Sequence, residues 1–75
     1  MTPEEIMCRP YHWVFVRYGE GWHAVIAELP GCIATGDTAA EALRNLQEVM
    51  HSWLTIVLEK GQAVPEPWPA LAPGT

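Results

Sequence analysis

Two runs, Tyr11 to Tyr18 (YHWVFVRY) and Trp22 to Leu29 (WHAVIAEL), are apolar on both of their faces, and that narrows what this chain can become. Dense in β-branched and aromatic residues, they read as strands. Gly19-Glu20-Gly21 between them offers permissive backbone for a tight turn, so the pair reads as a hairpin. Across a two-residue turn, even positions of the first strand share a face with odd positions of the second. One face then carries His12, Val14, Val16 and Tyr18 with His23, Val25, Ala27 and Leu29. The other carries Tyr11, Trp13, Phe15 and Arg17 with Trp22, Ala24, Ile26 and Glu28. A sheet with one wet face alternates apolar with polar, and this one does not.

The sequence supplies a single long helix as cover. Thr38-Ala39-Ala40-Glu41 is a capping box, Asp37 adds negative charge at the helix start, and Gly61 is the expected left-handed stop. Apolar residues recur at Ala39, Leu43, Leu46, Met50, Trp53 and Val57, the rhythm of a buried stripe, with Ala42, Val49, Ile56, Leu54 and Leu58 widening it. Roughly 22 residues at 1.5 Å each give about 33 Å of helix. Pro30-Gly31 breaks the second strand, and Cys32 to Thr35 reads as a short third strand ended by Gly36. Thr2-Pro3-Glu4-Glu5 looks like a helix start that Pro10 halts, so residues 1–10 are expected as a frayed turn or loose arm. Val64 to Pro69 is too rich in proline for a central strand. A fourth strand over Trp68 to Ala72 would be short and interrupted, and 69–75 is expected as a flexible tail. The fold class is α+β: three or four strands, antiparallel in type, packed on one helix in the order β-β-β-α-(β).

Seventy-five residues make one domain with a thin core, of a size that commonly needs a partner. Four tryptophans are much surface for such a core, which points to self-association, with Trp13, Phe15, Trp22 and Trp53 as the expected interface between copies. Nine acidic against four basic residues, Arg9, Arg17, Arg44 and Lys60, argue against direct nucleic-acid binding. They favour a basic protein partner, with Glu20, Glu28, Glu41, Glu48 and an anchoring Trp68 as candidate contacts. Ribonuclease-type metal chemistry needs several converging carboxylates, and Asp37, the one aspartate, suits the helix cap. His12, His23 and His51 lack zinc-type spacing, and Cys8 and Cys32 have no activating base nearby in sequence. No catalytic, cofactor or metal residue is expected. No stretch resembles a signal peptide or a membrane span, so a cytoplasmic protein is expected.

Glu28-Leu29-Pro30-Gly31-Cys32, then Gly36-Asp37-Thr38 leading into Glu41-Ala42-Leu43, then Pro65-Glu66-Pro67 after the helix, resembles the HicB antitoxin family. The likeness covers Tyr11 to Trp68, which sets a HicB-like domain at 11–68. Ala27 stands where that family usually has proline. The helix-turn-helix or ribbon-helix-helix module that usually ends the family's full-length members is not expected here, so operator binding is not carried over. Pro30, Gly31, Gly36, Asp37 and Thr38 are structural by the local physics: a turn, then a glycine entry into a capped helix. The resemblance implies a partial ribonuclease H-like fold, dimers or tetramers, and masking of a HicA-type toxin, a small basic RNase. The alternative is an orphan HicB-like homo-oligomeric scaffold without a toxin.

Overall fold

The structure, a computed structural model, describes residues 1–69. Residues 70–75, with most of the expected fourth strand and tail, lie outside the described residues. The elements run α1 (Pro3–Met7), β1 (Trp13–Tyr18), β2 (Gly21–Ile26), β3 (Ile33–Gly36) and α2 (Ala39–Glu59). The strands form one antiparallel sheet in the order β1-β2-β3. Among the described residues no fourth strand joins it.

The hairpin register sets Trp13 opposite Ile26, Phe15 opposite Ala24 and Tyr18 opposite Gly21, leaving Gly19-Glu20 as a two-residue turn. Gly19 has φ +60°, as the primed turns that match strand twist require at their first central position. Parity therefore holds as expected from the sequence. β3 settles which face is covered: Ala24 pairs with Ala34, and Ala24, Ile26, Cys32 and Ala34 are all buried beneath α2. The opposite face keeps Val14, Val16, Tyr18 and Ile33 in solvent.

Thr38 caps α2, its hydroxyl accepting from the Glu41 N–H at 3.1 Å. At the other end Gly61, at φ +68°, and Gln62 donate to the Leu58 and Val57 carbonyls, a Schellman stop. The buried row is Ala42, Leu46, Met50, Leu54 and Val57. Leu43, expected in the stripe, is instead exposed. The cause is Gly36: a Cβ there would run into the Ala42 amide nitrogen and lie 2.9 Å from the Glu41 carbonyl carbon. That approach turns Ala42, rather than Leu43, onto the sheet.

The N-terminal segment is not a loose arm. Its single helical turn is capped by Thr2, and Ile6 is fully buried in the core against α2. Glu4 reaches the His51 ring at 3.2 Å. Ile6 in the core outweighs the fraying that a five-residue helix suffers alone.

Candidate functional site

Where Tyr11 leads into β1, three distant segments meet on one buried carboxylate. Glu28, in the turn after β2, is 4% exposed and accepts three hydrogen bonds. The His12 N–H donates to Oε1 at 2.9 Å, while Oε2 lies 2.7 Å from His12 Nδ1 and accepts from the Trp68 N–H at 2.9 Å. Burial works to raise the Glu28 pKa, but the His12 ring and the two amides outweigh it and hold the carboxyl at about 2. Beside this node the Tyr11 hydroxyl donates to the Pro65 carbonyl at 2.6 Å, bridging 54 positions of sequence. Phenylalanine at position 11 is expected to lower stability by about 1 kcal/mol, the usual worth of one such bond. A fall in the urea midpoint at constant slope checks it; no change means that the tail is held elsewhere.

This geometry removes Glu28 from the candidate partner contacts, because its carboxylate is buried and bound on both oxygens within its own chain. Trp68 is divided: its amide is tied to Glu28, while its side chain lies 6.1 Å from the His12 ring by centroids. With 57% of the residue exposed, the indole stays available. Glu41 serves the helix start, accepting from the Asp37 N–H at 3.4 Å. Glu20, at the hairpin tip, and Glu48, on the solvent side of α2, remain exposed.

The aromatic set expected between copies is already partly used within its own chain. Trp13, Phe15, Trp22 and Trp53 are half-buried against the core on the helix side. On the outer sheet face the large apolar residues left open are Val14, Val16, Tyr18 and Ile33, at 40%, 54%, 72% and 54% exposure, while Met1, Leu43, Ile56 and Trp68 are open elsewhere. The alternation in β3, Cys32 and Ala34 inward with Ile33 and Thr35 outward, is the signal that separates the two faces; the hairpin alone is too evenly apolar.

Among the described residues, no three His, Cys, Asp or Glu side chains are grouped as metal ligands. Cys8 is exposed; Cys32 is buried, and burial pushes its thiol up to about 11, which makes it a poor nucleophile. Among the described residues no helix is long and apolar enough to cross a membrane. The surfaces this chain offers are an open apolar sheet face, an exposed indole and scattered carboxylates.

Residues 11–65 match the family described as UPF0150-like. The chain belongs to the UPF0150-like family. A UPF0150 protein of Synechocystis is 35% identical over 69 residues, covering 88% of this chain and 82% of the relative. The crystal structure of TTHA0281 from Thermus thermophilus is similar at a TM-score of 0.60 and 30% identity, covering 91% of this chain and 90% of that one. The UPF0150-like match begins at Tyr11 and ends at Pro65, the two residues joined by the tyrosine hydroxyl.

Proposed function

We propose that this UPF0150-like chain is a cytoplasmic, self-associating HicB-type antitoxin domain that binds and masks a HicA-type mRNA-cleaving toxin. The observation that carries the reading is the open apolar face of Val14, Val16, Tyr18 and Ile33 on a net-acidic domain. Contiguous exposed apolar residues on so small a protein mark an interaction surface. A net charge of −5 suits a basic partner and speeds its encounter. The motif residues support the same reading by being structural: Glu28 ties the tail, Gly36 and Thr38 set the helix, and none is left over for chemistry. The fold is read as a reduced ribonuclease H-like sheet and helix that keeps the scaffold without its carboxylates. Glu20, Glu48 and the Trp68 indole are the contacts left for the toxin.

The test is co-expression with the product of an adjacent short reading frame encoding a small, basic, histidine-containing protein. The antitoxin is expected to restore growth and to co-purify with the toxin, and Glu48→Lys is expected to slow association most at low salt. Failure of the purified pair to associate overturns the reading. Absence of any such neighbouring frame points to the orphan scaffold.

A further inference from the structure

Among the described residues, one edge of the sheet lacks a strand partner. Ala27 donates its N–H to the His12 carbonyl across the hairpin at 3.0 Å. Antiparallel pairs alternate between bonded and non-bonded, so in this register the even residues of β1 carry the bonds to β2. The N–H and C=O groups of Trp13, Phe15 and Arg17 therefore point away from β2. Among the described residues no strand lies beside them. The far edge differs, because Asn45 of α2 donates to the Thr35 carbonyl of β3 at 2.8 Å. Natural edges are commonly blunted by charged side chains, above all lysine, by proline or by a bulge, and of these β1 (WVFVRY) has only Arg17, near one end.

We infer that a second copy of this chain pairs antiparallel with β1 about a two-fold axis at Phe15, joining two three-stranded sheets into one of six strands. This deepens the self-association in the proposed function and is independent of the toxin. The edge is self-complementary, since a reversed copy presents the same outward groups at the same odd positions. Charge narrows the register. Arg17 is the one charged residue of β1, and centring on Phe15 sets each Arg17 opposite Trp13 of the other copy, a cation–π pairing. Centring on Arg17 would place like charges face to face. Sliding the other way, to Val14, would bring Tyr11 and His12 into the pairing, where the tail crosses through Pro65 and Trp68. On the outer face the chosen register sets Val14 opposite Val16 of the second copy, so the half-exposed valines shield one another.

The experiment uses purified full-length protein without toxin. Light scattering is expected to give about twice the 8.3 kDa chain mass. Val16→Lys is expected to halve that mass with unchanged far-UV circular dichroism. Ile33→Lys, on the same face but at the distant edge, should leave the dimer intact. In a Cys8→Ser background, Val14→Cys and Val16→Cys proteins are oxidised separately and mixed. The mixture alone should yield covalent dimer, because positions 14 and 16 then face each other about 4.5 Å apart by Cα, within disulfide reach. Cross-linking by either variant alone overturns the Phe15 register, and dissociation by Ile33→Lys replaces edge pairing with face-to-face packing. A wild-type oligomer whose mixture fails to cross-link ends the edge assignment but leaves self-association standing. A wild-type monomer ends both, while toxin binding is judged separately by co-purification.

Discussion

Glu28→Ala is expected to bring the domain to the verge of unfolding at room temperature. The substitution strips the partner from two amides, of His12 and Trp68, and from the His12 ring, and leaves a void where a buried side chain stood. Leaving buried donors without their charged acceptor costs about 1–3 kcal/mol, and the void left by the side chain adds to it, which puts the loss at about 3 kcal/mol. A core of this size supplies only about 3–5 kcal/mol in all. Glu28→Gln, of the same shape with one acceptor left, should lose about 1–3 kcal/mol. Urea unfolding followed by tryptophan fluorescence ranks the three proteins, and equal midpoints for wild type and Glu28→Ala would show that the node holds nothing. The same carboxylate makes stability depend on acid. Its folded pKa of about 2 lies below the ordinary 4.5, so its contribution is complete above about pH 4.5 and drains away as pH falls towards 2. Glu28→Gln should lack that share of the acid loss. Identical acid profiles for wild type and Glu28→Gln would assign the loss to other groups.

Gly36→Val should be comparably damaging for an unrelated reason. Position 36 abuts the backbone of the first turn of α2, with the Glu41 carbonyl carbon and Ala42 Cα only 2.9 and 3.0 Å from where a Cβ would sit. Backbone cannot swing aside as a side-chain tip can, so the sheet and helix must separate. Overpacking of this kind costs about 1–3 kcal/mol, and valine belongs at the top of that range. Gly19→Asn is the contrast: its φ of +60° suits asparagine and nothing lies within 4 Å of an added Cβ. Thermal melts are expected to show a much larger fall for position 36 than for position 19. The reverse order would mean that the hairpin turn, not the helix approach, limits stability.

The hairpin, its two-residue turn, the capped helix and its glycine stop were all legible, because each is written locally in caps, turns and strand parity. The buried side of the sheet was not legible from the hairpin. Trp13 and Phe15 look as suited to an interface as Val14 and Val16 until β3 shows small residues, Cys32 and Ala34, on the covered side. The roll of α2 was hidden for a similar reason, since Leu43 is a better apolar residue than Ala42 and only the contact with Gly36 decides between them. Glu28 misled most. An acidic residue in a turn reads as a surface group, and its partners, the His12 amide and ring and the Trp68 amide, lie 16 and 40 positions away. Long-range pairing of one carboxylate leaves no periodic trace.

Pro65-Glu66-Pro67-Trp68-Pro69 places proline at every second position, so only Glu66 and Trp68 retain an amide hydrogen. That of Trp68 is already bound to Glu28. The stretch is nearly donorless along its length, and it can lie across the mouth of the sheet without templating a neighbouring backbone. It resists being drawn into intermolecular β-structure while still tying the entry to the first strand, at Tyr11, to the turn after the second, at Glu28.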